Sequence, residues 1–288
     1  MLLENIHIFI FLVYMQFLCI IMLYILYMFS SLDFQKNGGN DYILDKMIRI
    51  AVISDVHGNR LALEAVLEDI RHRRVDQIVN LGDVLYGPLD PLGTAALLID
   101  QKIITIMGNC DEILQEEHSD EDTFKFVKPL LTGEIMEWIS GFLPTWSYEN
   151  LLFCHGTPGS NHTYLLEEIT PHNKRLKSPA SLQEELSAYQ EHIVICGHSH
   201  MERTVILPDG KIIVNAGSVG LPAYDDPFPF PHQMESGTPH AKYALLSHSE
   251  GGWNIEHIKV SYDWFTTAAL ARSNGREDYA VAIESGKM

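Results

Sequence analysis

Hydrophobic and polar positions divide the chain into three stretches of different character. Residues 8–29 are apolar apart from Gln16 and a few tyrosines, and no charge falls between Glu4 and Asp33. Residues 31–46 are polar, and Asn37-Gly38-Gly39-Asn40 breaks any periodicity, so they read as linker. From residue 48 onward short apolar runs alternate with amphipathic stretches. The run 48–53 predicts a buried strand. Leu63, Val66, Leu67 and Ile70, spaced i, i+3, i+4, i+7, predict a helix starting near Asn59. Residues 77–81 repeat the strand pattern, followed by a loop through Gly87-Pro88 and a helix opening at Pro91, a residue suited to the first helical turn. Residues 103–107 predict a third strand. The acidic stretch 111–122 and the apolar positions Phe126, Leu130, Leu131, Ile135, Met136 and Ile139 predict helices outside the sheet, with the charge on a solvated face.

After Pro144 strands follow one another in series. Residues 151–154, 192–196, 204–207 and 211–215 are short β-rich runs, and Pro208-Asp209-Gly210 is a hairpin turn signal. Residues 222–239, rich in proline, predict a long loop, after which 243–248 and 253–260 are expected to close a second sheet, with a helix from Trp264. The pattern fits two sheets face to face with helices outside, in one domain of residues 47–288.

Composition narrows the function classes. The 288 residues carry a formal charge of −18, which argues against tight nucleic-acid binding. Cys19, Cys110, Cys154 and Cys196 show no C-x-x-C pair, so a disulfide framework is not expected. Cys154 and Cys196 end apolar runs and read as buried small residues, whereas Cys110 lies inside a motif.

Candidate chemistry sits where the apolar runs end. In order these positions are Asp55-Val56-His57, Gly82-Asp83, Gly108-Asn109-Cys110-Asp111, His155-Gly156 and Gly197-His198-Ser199-His200. Carboxylate, imidazole and amide oxygen are donors that divalent cations accept, and at strand ends such side chains converge on one edge of a sheet. His198 and His200 are two residues apart, so a regular strand would point both to one face. Ser54, Ser199 and Ser218 read as hydrogen-bonding loop residues, not nucleophiles.

This ordered set closely resembles the calcineurin-like metallophosphoesterase superfamily, in particular its small bacterial and archaeal branch. Residues 54–59, which read S-D-x-H-G-N, and the G-S-V-G of residues 217–220 strengthen the likeness, which runs from about residue 47 to at least residue 246. The resemblance implies the four-layer αββα sandwich. It also implies two divalent metal ions (Mn, Fe, Zn, Co or Ni), one held by Asp55, His57, Asp83 and His200 and the other by Asp83, Asn109, His155 and His198, with Asp83 as bridge. The implied reaction is hydrolysis of a small phosphodiester or phosphomonoester by a metal-bridging hydroxide, with Asp83, Asn109 and His155 at catalytic positions. Asn59, Cys110 and His162 are the candidate substrate contacts.

Two departures from the family pattern stand out. Many members have histidine where this chain has Cys110, and a thiol is a poorer donor to a leaving group, which favours diesters or good leaving groups. Without that imidazole, Asp111 reads as a helix cap. Leu221-Pro222-Ala223 also stands where related sequences often carry an arginine. Competing functions with the same centre are a protein phosphatase or a nuclease. A non-catalytic scaffold, as in the similar retromer subunit, is the third, and it expects lost ligands where none is lost here.

Residues 1–46 leave two readings open. Residues 8–29 are long enough for a single transmembrane helix, and Lys36, Lys46 and Arg49, all after it, would place the catalytic domain in the cytoplasm. Alternatively the segment is a leader upstream of a true start at Met47, which gives a soluble cytoplasmic protein.

Overall fold

The computed structural model describes residues 48–101 and 103–288; both readings of residues 1–46 lie outside them. Among the described residues no helix is long and apolar enough to cross a membrane.

The first sheet begins with β1 (Arg49–Ile53), β2 (Gln77–Asn80) and β3 (Ile104–Thr105), joined in parallel through α1 (Arg60–His72) and α2 (Pro91–Leu98). The Asn59 side chain caps α1 by accepting from the Ala62 amide at 3.1 Å. Asp90 caps α2, with Pro91 in its first turn. The predicted apolar stripe is the buried face of α1, with Leu63, Val66 and Ile70 against the sheet. Short helices α3 (Asn109–Ile113), α4 (Asp122–Val127) and α5 (Gly133–Ser140) then cover the same side.

The second sheet is built from β4 (Trp146–Tyr148), β5 (Leu151–Phe153), β8 (Ile193–Cys196), β9 (Arg203–Ile206) and β10 (Ile212–Asn215), in the order β4-β5-β8-β10-β9. Between β5 and β8 lie a hairpin, β6 (Glu167–Ile169) and β7 (Lys174–Leu176), and α6 (Pro179–Glu185). Residues 222–239 are not the featureless loop expected: β11 (Ala223–Asp226) and β12 (His232–Glu235) pair within them, and the prolines fall before, between and after the two strands.

A larger correction concerns the two long strands β13 (Ala241–Ser249) and β14 (Gly252–Val260). They do not close the second sheet; β13 pairs antiparallel with β1, giving the first sheet the order β14-β13-β1-β2-β3. The pleat explains the placement, because alternate residues of β13 face different layers. Ala244 and Leu246 join the core between the sheets, whereas Tyr243 and Leu245 join the core under α1. The chain ends in α7 (Trp264–Ser273), as expected, and α8 (Glu277–Ser285).

Three apolar clusters define four layers. Ile50, Val52, Val79 and Leu81 of the first sheet meet Leu151, Phe153, Ile193, Ile195 and Val214 of the second. The opposite face of the first sheet packs on helices, and that of the second packs Leu152, Val194 and Ile213 against Leu182 and Leu186. This is the αββα sandwich. Every candidate ligand follows the carboxyl end of a parallel strand, β1, β2, β3, β5 or β8, so one rim of the sandwich collects them all.

Candidate metal centre

Backbone shape does much of the positioning. Of the seven non-glycine residues with positive φ among those described, five are candidate ligands: Asp55, His57, Asp83, His198 and His200. Such conformations are uncommon and gather where the surroundings over-determine them. His198 and His200 therefore do not share a face through strand alternation. β8 ends at Cys196, and two left-handed residues in a loop turn the rings inward.

The loops approach more closely than side chains would allow. A Cβ at Gly220 would lie 1.8 Å from the Val56 carbonyl oxygen, and one at Gly108 would lie 2.1 Å from Asp83 Oδ1. Asp111 ties two of these loops together. Its carboxylate accepts from the Asp83 amide at 2.7 Å, the Val84 amide at 2.9 Å and the Gly108 amide at 3.1 Å. It is thus a cap, as expected, and also a clamp on the loop that carries Asp83. Burial, reinforced by the Asp83 charge, pushes its carboxyl up to about 7.

Two ligand clusters result. The first is Asp55, His57 and His200; the second is Asp83, His155 and His198. In the first cluster His57 Nδ1 donates to the Tyr86 carbonyl at 2.8 Å and His200 Nδ1 to the Leu221 carbonyl at 2.6 Å. A carbonyl can only accept, so each Nδ1 carries a proton, and in the neutral ring Nε2 is then a bare acceptor. The two Nε2 atoms face each other at 3.2 Å. Asp55 Oδ1 lies 3.3 Å from His200 Nε2 and is buried without a hydrogen-bond partner. Acceptors gathered this way in a buried site repel one another unless a cation sits among them.

In the second cluster one ring is pinned in the same way. His155 Nδ1 donates to the Leu81 carbonyl at 2.7 Å, and its Nε2 faces Asn109 Oδ1 at 3.0 Å and Asp83 Oδ2 at 3.5 Å. Burial disfavours charge on this imidazole, but Asp83 overrides burial and pushes it up to about 9. Burial also opposes ionisation of Asp83, yet His155 and its neighbouring rings hold that carboxyl well below the usual range. Burial, then His155, press His198 down to about 3. Asp83 Oδ1 accepts from the Cys110 amide at 2.9 Å, which leaves Oδ2, 3.9 Å from His57 Nε2, to face both clusters. The donor set fits divalent cations.

A family model described as the calcineurin-like phosphoesterase superfamily domain matches residues 48–232. The chain belongs to the calcineurin-like phosphoesterase superfamily. Among similar proteins, an uncharacterized protein of Methanocaldococcus jannaschii is 28% identical over 240 residues, covering 74% of this chain and 88% of that one. The crystal structure of a metallophosphoesterase from Sphaerobacter thermophilus has the same fold at a TM-score of 0.65 and 22% identity, covering 83% of this chain and 99% of that one.

The seven candidate ligands come together at this rim, and of the three expected substrate contacts Cys110 alone is among the described residues that line the cleft. Asn59 is buried; beyond capping α1 its amide donates to the Gly220 carbonyl at 2.8 Å and the Tyr262 hydroxyl at 3.2 Å, so it braces the G-S-V-G loop. His162 is exposed, pairs with Glu112 at 3.0 Å and is not among the residues lining the cleft. Cys110 does line the cleft, close to His57 and Asp83, and burial with the Asp83 charge pushes its thiol well up. Ser218 is a loop residue as expected, donating to the Asp55 carbonyl at 2.8 Å.

The cleft, about 450 Å³, also has walls that no motif announced. Tyr86, Thr123 and Tyr224 line it, as do Arg276 and Tyr279 from the C-terminal helices, beyond the family-matched residues. Arg276 is the sole lysine or arginine among the described lining residues. Its guanidinium lies 4.5 Å from the Tyr279 ring centroid, with Nη1 on Thr123 and Nη2 2.6 Å from Asp278.

Proposed function

We propose that this domain hydrolyses a small phosphodiester or phosphomonoester at a centre of two divalent cations. One would be held by Asp55, His57, Asp83 and His200, the other by Asp83, Asn109, His155 and His198. The observation that carries the reading is the apposition of two acceptors, His57 Nε2 and His200 Nε2, at 3.2 Å beside the unpartnered Asp55 Oδ1, in a buried site that opens onto a cleft. Cations bound there supply Lewis acidity toward phosphoryl oxygens and acidify water.

The remaining steps fall to the chain itself. Asp83 presents one oxygen to both clusters because the Cys110 amide occupies the other. Arg276, which lines the cleft with its guanidinium oriented by Asp278 and Thr123, would offer a positive charge to a phosphoryl oxygen, the role for which residues 221–223 carry no arginine. The Cys110 thiol, kept protonated by burial and by Asp83, lines the cleft as a weak proton donor. Esters whose leaving groups need little protonation, diesters above all, suit that arrangement. The strongly acidic balance disfavours nucleic-acid substrates.

The test is hydrolysis by metal-stripped protein reloaded in turn with Mn, Fe, Zn, Co or Ni, across activated diesters, monoesters, nucleotides and phosphopeptides. Metal-dependent turnover, highest on diesters, is expected. No turnover of any phosphate ester by protein shown to hold two ions would sink the reading.

A further inference from the structure

Three of the four candidate histidines are oriented in the same way. His57, His155 and His200 each donate Nδ1–H to a main-chain carbonyl, at 2.8, 2.7 and 2.6 Å. His198 differs: among the described residues neither of its ring nitrogens makes a hydrogen bond. Its ring lies instead on that of Tyr164, with centroids 4.5 Å apart and planes at 29°. The terminal torsion of histidine is broad, so a ring with no carbonyl to fix it needs some other restraint.

We infer that Tyr164, braced by Tyr224, is the positioning residue for His198 and thereby sets the metal affinity of the cluster Asp83, His155 and His198. This inference rests on the metal-centre reading above. Tyr224 donates its hydroxyl proton to the His198 carbonyl at 2.9 Å, and its oxygen lies 2.8 Å from the Tyr164 hydroxyl. The pair therefore holds His198 twice, once through the plane of its ring and once through its peptide. That second hold matters because His198 has φ 65°, a conformation that an ordinary residue leaves when released. Tyr164 is buried, Tyr224 is half-buried at the cleft, and His232 Nε2 lies 3.1 Å from the Tyr164 hydroxyl. Neither tyrosine belongs to a metal motif. Tyr164 precedes β6 and Tyr224 lies in β11, so the segments between and after the motifs complete the site.

Tyr164 touches one cluster only, whereas Tyr224 also packs on His200 at 4.5 Å. Residues that orient a ligand without binding metal typically contribute about 10- to 100-fold in metal affinity. Calorimetric titration of the metal-stripped full chain with Mn²⁺ tests the inference without reference to activity. Wild type is expected to show two binding events. Tyr164→Leu should weaken one of them by at least about tenfold and leave the other within about threefold, while Tyr164→Phe, which keeps the ring, should restore the lost affinity. In a His198→Ala background Tyr164→Leu should have no further effect, because the two act on one ligand. Unchanged binding by a folded Tyr164→Leu protein, or an equal further loss in the His198→Ala background, overturns the inference while leaving the metal centre standing. If Tyr164→Leu does not fold, Tyr224→Phe replaces it. Weakening of that same event supports the inference, and binding equal to wild type overturns it. Absence of metal binding by wild type removes the underlying reading and this inference with it.

Discussion

The two ligand clusters are built from similar residues yet held differently. Asp55, His57 and His200 form the stiffer one: both rings are pinned to carbonyls, and Asp55 Oδ2 accepts from the His198 amide at 3.1 Å. In Asp83, His155 and His198 only one ring is pinned, and the other rests on an aromatic face. The second cluster also contains the imidazole that retains a proton most strongly, His155. A pinned cluster accepts one geometry. A stacked one tolerates small shifts of its ligand, and a proton must leave before a cation can enter. The two halves of the centre should therefore differ in affinity and in response to pH.

The largest expected effect removes the difference altogether. Asp83 faces both clusters, so Asp83→Asn should abolish metal-dependent hydrolysis and weaken both binding events, whereas His155→Ala should abolish hydrolysis but weaken one event. Activity of either variant within about tenfold of wild type would contradict the assignment, since loss of a ligand to a catalytic metal removes transition-state stabilisation of several kcal/mol. Next in size is Cys110, which sits beside both clusters. Cys110→His should raise turnover of poorly activated monoesters by about 10² or more, because an imidazole can serve as general acid. Cys110→Ala should leave an activated diester nearly untouched. Loss of activity on both substrates with metals still bound would show a direct role for the thiol.

A smaller effect separates the clusters by pH. His155 is protonated below about 9 in the metal-free protein, and metal needs its Nε2 lone pair, so binding releases a proton. Affinity of the second cluster should rise by up to about tenfold per pH unit from 7 towards 9 and level off above. His57, held low by burial and then by His200, has no proton to lose in that window. Calorimetry in buffers of different ionisation enthalpy reads the proton count directly, and a pH-independent affinity would contradict it. Smallest in its effect on chemistry is Asp111→Ala, which strands three buried amides that the carboxylate now accepts. Thermal denaturation should show a loss of about 2–4 kcal/mol, against less for Asp111→Asn, which keeps an acceptor.

How much of this was legible follows a simple rule. Local patterns report local structure, so β1, α1, β2, β8 and β10 lie where periodicity placed them, and ligands at strand ends met at one rim as their order implied. Partnership between distant segments leaves no such trace. The alternation of β13 is equally compatible with either sheet, and only its pairing with β1 decides. Prolines concealed the β11–β12 hairpin because they suggest loop wherever they cluster. Asn59 looked like a site residue through its motif, but its amide closes backbone bonds. Tyr164, Tyr224 and Arg276 contribute through proximity alone, with no spacing to mark them.

The placement of β13 also bears on how the protein is made. β1 emerges from the ribosome first, and β2 can join it early, but its other neighbour is residues 241–249 near the end of the chain. At about 5–20 residues per second the interval is on the order of ten seconds or more. Throughout it, one edge of β1 is open to solvent or to another chain, with Asp55 and His57 already following it. Completion of the sheet, and with it a settled rim, is thus a late event of synthesis. A chain cut short before β13 would hold every candidate ligand and still leave the strand that carries the first two with an unpaired edge.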